Sequence, residues 1–179
     1  MTKTSSEKKD TSLLLSGKAF WASVRKPNEL SGKYQLDLSI DTSTKETLEG
    51  LGITVKNATK GIGVDKKNEN DLRGDFVTLK KMHQGKDGTI YAPPQIVDGK
   101  KNPVPSDVMI GNGSLINIAA HTFETKKAGT QLGFSAIQIK TLVEFSRPKA
   151  VDSFKEIEGF TVESDESPQS INKSSSPFE

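Results

Sequence analysis

Bases and flat rings are interleaved along several short stretches of this chain. In "FWASVRKP", Trp21 is followed at two-residue steps by Ser23 and Arg25, and Lys26 comes next. In "FVTLKKM", Phe76 alternates with Thr78 and Lys80. Lys86 and Tyr91 lie in a turn-rich stretch, and Lys126 and Lys127 form the basic turn of "ETKKAGTQ". Along an extended strand, residues two apart share a face. Trp21 is therefore expected beside Ser23 and Arg25, and Phe76 beside Thr78 and Lys80. Unstacked nucleic acid calls for this pairing. Cations meet the phosphates and rings meet the bases, with stacking worth about 1–3 kcal/mol per base whichever base it is. Core or wall packing stays open as the alternative for both rings, less so for Phe76, because Val77 and Leu79 already supply an apolar face to that strand. Tyr34 is expected in the core and His121 on a strand surface.

Other chemistry has few carriers. Without cysteine the chain has no disulfide and no thiolate metal site. His83 and His121 fall on different expected strands, with no carboxylate at metal-ligand spacing. The glycines of "GIGVD" and "IGNGS" lack the frame of a phosphate-binding loop and suit turns instead. No catalytic residue, metal or cofactor is expected. Two alternatives stand beside nucleic-acid binding. One is a β-rich structural or interaction protein whose charge pattern is incidental. The other is a metal-dependent nuclease.

The elements that must position these residues follow from periodicity. "LLLSGKAFWASVRKP" reads as a strand ended by Pro27, which cannot donate to a ladder. In "YQLDLSI", Tyr34, Leu36, Leu38 and Ile40 alternate with polar residues, the mark of a strand with one dry face. "FVTLKKM", "SLINIAAHTF" and "FSAIQIKTLVEF" are three further strands, and Gln95–Val97 is a short additional one. Ser43 and Glu46 form a capping box for one helix over 43–50. The stretch "KNATKGIGVDKKNENDLRGD" is glycine- and charge-rich and is expected to be a long mobile loop. Five main strands and one short helix, with no βαβ rhythm, predict an all-β, five-stranded Greek-key barrel of the oligonucleotide-binding type. It spans residues 12–160, between a disordered arm over 1–11 and a disordered acidic tail over 161–179.

Charge is distributed unevenly over the 179 residues. Residues 152–179 hold seven acids against two bases, while residues 1–151 hold 23 bases against 16 acids. A basic body with an acidic tail often accompanies nucleic-acid binding. No apolar run approaches the roughly 20 residues needed to span a bilayer. The N-terminal "MTKTSSEKKD" lacks the apolar stretch of a signal peptide. A cytoplasmic protein without a membrane partner is expected.

Several segments together resemble the single-stranded DNA-binding proteins of tailed phages, the helix-destabilising replication proteins. These are "FWASVRKPNELSGKYQLDLSI", "IVDGKKNPVPSDVMIGNGSLINI", "IQIKTLVEF", and the acidic tail with its near-terminal aromatic, in matching order across about residues 15–160. The resemblance implies sequence-independent binding of single-stranded DNA in phage replication and recombination, in the host cytoplasm. It also implies an acidic tail that docks replication partners such as a polymerase or a helicase/primase, and it is compatible with a homodimer. On that reading Phe178 is an anchor, with Asp165, Glu166 and Glu179 as steering charges, and the tail competes with DNA for the basic groove. The tail is less densely acidic than the family's, and Glu179 follows the phenylalanine instead of leaving it last.

Overall fold

The structure is a computed structural model that describes residues 11–145 and 154–155. By internal contacts the chain divides into Met1–Ser146 and Arg147–Glu179. Residues 1–10 of the expected arm over 1–11, the barrel boundary at 160 and the tail over 161–179 lie outside the described residues.

Among the described residues, seven strands and one helix follow in chain order: β1 (Ser12–Ser23), β2 (Lys33–Ser39), α1 (Thr42–Gly50), β3 (Lys56–Asn57), β4 (Asp75–Met82), β5 (Gln95–Val97), β6 (Leu115–Thr125) and β7 (Gly129–Thr141). The five long strands are those that alternation marks in the sequence. The extra two are two and three residues long, too short to carry a period. β1 pairs antiparallel with β2 and β6, β2 with β4, and β6 with β7. A parallel contact of β4 with β7, at Leu79–Leu132 and Lys80–Gly133, then closes the ring β1-β2-β4-β7-β6. The expected five-stranded barrel is present, with β3 added at the edge of β4 and β5 beside β7.

One face of each strand fills the barrel. Leu15 and Ala19 of β1, Tyr34, Leu36 and Leu38 of β2, and Val77 and Leu79 of β4 meet Ile116, Ile118, Leu132, Phe134 and Ile137 in one buried cluster. Tyr34 is core, as its alternation requires, and its hydroxyl lies 3.1 Å from His83 Nδ1.

Three local expectations change. Helix α1 is capped by Asp41, whose carboxylate accepts from the Thr44 N–H at 2.7 Å, and not by Ser43. An ionised acceptor two residues earlier meets the first free N–H groups with a stronger bond. Thr11 already exchanges hydrogen bonds with Thr122, so the ladder starts inside the expected arm. The glycine-rich segment after α1 is tied down at several points: Asn57 and Ile62 bond reciprocally, Asn68 donates to Ala58, and Asn57 Nδ2 donates to Asp75 at 2.7 Å. Among the described residues, no helix is long and apolar enough to cross a membrane.

Candidate nucleic-acid interface

The outward faces of β1, β2 and β4 form one surface, and strand register sets its rows. Lys18, Ser39, Phe76 and Lys56 lie side by side; Phe20, Asp37 and Thr78 make the next row; Gln35, Lys80 and Gly133 make a third.

Trp21 stands at the edge of this surface because β1 is broken beside it. A register shift lies between Phe20 and Ser23, and Trp21 adopts φ 47°, in the left-handed region. Strict alternation would have sent Trp21 inward with Ala19. The bulge re-aims it, as bulges beside functional sites do. A non-glycine residue in this conformation costs about 1–2 kcal/mol. The Trp21 N–H, turned away from the ladder, instead donates to Asn112 Oδ1 at 2.8 Å. Trp21 as a residue is 55% exposed, and the ring face away from Arg73 is open to a ligand.

Arg73 lies under the ring. Its guanidinium carbon is 4.0 Å from the Trp21 centroid and 3.8 Å from that of Phe76, a cation held between two aromatic faces. Such contacts contribute from about 0.5 kcal/mol when exposed to about 2 kcal/mol when dry. Each of its three nitrogens already donates to a carboxylate. Nε and Nη2 form a two-point bond with Asp71, and Nη1 donates to Asp37 at 2.6 Å. Thr78 donates to the other Asp37 oxygen at 2.7 Å and accepts from Lys56 Nζ at 3.0 Å. Arg73 therefore holds a ring in place and offers little charge to a phosphate.

These bonds set the titration of the group. Burial opposes the Arg73 charge, but the bonds to Asp71 and Asp37 outweigh it and raise the guanidinium pKa. Bonding to Arg73 holds the Asp71 carboxyl below its usual range. Burial lowers the Lys56 pKa, against the pull of Asp37. Because the folded pKa of Asp71 is depressed, its contribution to stability is complete above the ordinary carboxylate value. It is lost as pH falls through the folded pKa. Urea midpoints measured from pH 6 down to pH 2 should fall below about pH 4, and Asp71→Asn should start lower and fall less steeply. Parallel curves for the two proteins would remove Asp71 from this linkage.

The other expected site residues are dispersed. Phe76 shares a face with Thr78 and Lys80, as alternation requires, yet it is 1% exposed and covered by Arg73. It has no face free to stack on a base. Arg25 lies past the end of β1 and does not share a strand face with Trp21. Its guanidinium binds the carbonyls of Val104 and Pro105 at 3.0 and 2.7 Å, a strap to the segment between β5 and β6. Burial there lowers its pKa, partly offset by Asp107. Lys26 and Lys80 are exposed. Tyr91 is exposed in the β4–β5 connection. Lys126 and Lys127 occupy the β6–β7 turn, beyond the point where Gly133 meets Lys80. The His121 ring lies across Gly133, where a side chain would collide with it. Among the described residues, no three His, Asp or Glu side chains are grouped to hold a metal ion.

Sequence reasoning missed Arg73, Lys18 and Asn112. With Trp21 and the 68–72 loop they line a cleft of about 590 Å³. The "DLRGD" stretch carried a faint signal, an arginine between two aspartates, but nothing local ties it to a tryptophan 52 positions away.

No protein-family model matches the chain, and no curated protein matches it by sequence. Solved structures do. A single-stranded DNA-binding protein from bacteriophage Enc34, truncated at its C-terminus, aligns over 77% of this chain and 88% of its own, with 11% identity and a TM-score of 0.49. The gp2.5 single-stranded DNA-binding protein encoded by bacteriophage T7 aligns over 86% of this chain and all of its own, with 14% identity and a TM-score of 0.55. The chain thus has the same barrel fold as phage T7 gp2.5.

Proposed function

We propose that this protein binds single-stranded DNA without sequence specificity, through the outer face of β1, β2 and β4 and the Trp21 cleft. It is a binding protein, not an enzyme, and it coats and protects single strands during phage replication and recombination. The observation that carries this reading is Trp21, held exposed on a strained bulge with Arg73 packed behind it. A protein has little reason to maintain that arrangement unless something flat covers the ring. The fold shared with the T7 protein and the excess of bases over acids in residues 1–151 support the same reading. Lys18, Lys26, Lys80, Lys126 and Lys127 supply phosphate contacts, and Tyr91 supplies a second ring. The tail residues Asp165, Glu166, Phe178 and Glu179 compete with DNA for this face and dock replication partners. The acidic excess of residues 152–179 is what supports that role.

The test is anisotropy of labelled oligo-dT and of a matching duplex at several salt concentrations. Single strands should bind far more tightly, and each neutralised phosphate should add about −0.7 to the slope of log affinity on log salt. Trp21→Ala should weaken binding by about 1–3 kcal/mol, measured well below an unfolding transition that falls with the lost Arg73 contact. Equal affinity for duplex and single strand would overturn the proposal. So would cleavage of the labelled strand in magnesium that chelator silences, which would favour a nuclease.

A further inference from the structure

At the Trp21 cleft the orientation of Asn112 is set by a bond. A backbone N–H can only donate, so the amide end that faces the Trp21 N–H at 2.8 Å is the oxygen. The opposite end, Nδ2, carries two N–H donors and makes no hydrogen bond among the described residues. Asn112 is exposed and lines the cleft.

The loop that carries Asn112 is fixed on both sides. Gly113 donates to the Ala19 carbonyl and Ala19 to the Ser114 carbonyl, each at 2.8 Å. Ser114 is fully buried, and its hydroxyl lies 2.8 Å from the Gly111 carbonyl and accepts from the Val143 N–H at 2.9 Å. Ring and amide therefore keep a constant relation, because the residue that carries the ring also bonds the amide.

The other cleft groups narrow what can enter. At about 590 Å³ the cleft lies within the roughly 300–1,000 Å³ typical of small-ligand sites. Asp71 faces it, but its oxygens are taken by the Arg73 side chain and backbone N–H. Asn68 Oδ1 accepts from the Asn70 N–H. Lys18 adds a second donor. Among the described residues no bond fixes the Lys18 or Asn70 side chain, whereas the Asn112 donor is a free cleft group that a bond holds in place.

We infer that the cleft takes one nucleobase against Trp21 and that Asn112 Nδ2 donates to a carbonyl on its edge, favouring thymine over cytosine at that position. The inference rests on the single-strand reading above and adds a base preference to it. Thymine carries a carbonyl on each side of its pairing edge and so meets the donor in either orientation. Cytosine presents an amino group on one side, and there donor faces donor.

The test compares oligo-dT and oligo-dC of equal length, by anisotropy, with the full-length protein and with Asn112→Asp. The aspartate still accepts the Trp21 N–H but replaces the donor with an acceptor suited to the cytosine amino group. The unaltered protein should prefer dT by roughly 3- to 10-fold, the size of one neutral hydrogen bond. In Asn112→Asp the preference should vanish or invert, with both affinities lowered by the added charge and melting unchanged. A ratio that survives the substitution, or equal binding of dT and dC by the unaltered protein, overturns the base assignment alone. Failure to bind either oligomer overturns the single-strand reading, and this assignment with it.

Discussion

Phe76→Ala should lower the stability of the barrel by about 3–5 kcal/mol, the usual cost of emptying a buried phenylalanine site. The ring is 1% exposed and lies 3.8 Å from the Arg73 guanidinium. Its loss opens a cavity and also removes one of the two faces that hold a buried cation. Urea unfolding reads the first effect. Phe76→Leu, which refills most of the space, should recover more than half of the loss. Oligo-dT affinity, measured well below the unfolding transition, should change little in Phe76→Leu, because the ring meets no base. A Phe76→Leu protein of ordinary stability whose affinity falls as far as that of Trp21→Ala would return Phe76 to the binding surface.

Arg73→Ala should be comparably costly, for an electrostatic reason. The Asp71 and Asp37 side chains are 4% and 13% exposed and depend on the guanidinium for charge balance. Removing one partner of a buried ion pair costs about 3–5 kcal/mol, because the remaining charge is left in a poor solvent. Arg73→Lys should recover only part of this. An ammonium cannot span both carboxylates while lying flat between two rings. Arg73→Met combined with Asp71→Asn and Asp37→Asn removes the stranded charges and should regain most of the stability. The triple variant also separates support of Trp21 from contact with phosphate. If Arg73 bound a phosphate, the salt slope of oligo-dT binding would shrink by about 0.7. We expect the slope to hold while affinity falls modestly, because Trp21 loses its backing. A slope reduced by that amount would make Arg73 a phosphate ligand.

Both predictions concern groups that local sequence describes poorly, which marks how far the sequence could be read. The alternation of residues 34–40 and 76–82 was enough to place Tyr34, Leu36, Leu38, Val77 and Leu79 in the core. A strand with one wet face must alternate at period two, and that rule needs no partner. The five long strands, the single helix and the β6–β7 turn at Lys126 and Lys127 followed from the same short-range physics. Five strands and no βαβ rhythm then left few architectures besides a small barrel.

The site depended on contacts between residues far apart in the chain. Trp21 faces outward because a bulge interrupts its strand and Asn112, 91 positions later, takes its N–H. Phe76 sits on the outer face that alternation assigns it, yet Arg73 buries it there. Arg25 looked like a phosphate ligand and is instead a strap to the 104–108 segment. Barrel closure itself is a parallel contact of β4 with β7, some 53 residues apart. Periodicity reports which side of a strand a residue occupies, because that follows from backbone geometry at the residue itself. Whether the side is wet, and whether a charge there is free, depends on what the closed barrel brings against it, and that was decided only when distant segments met.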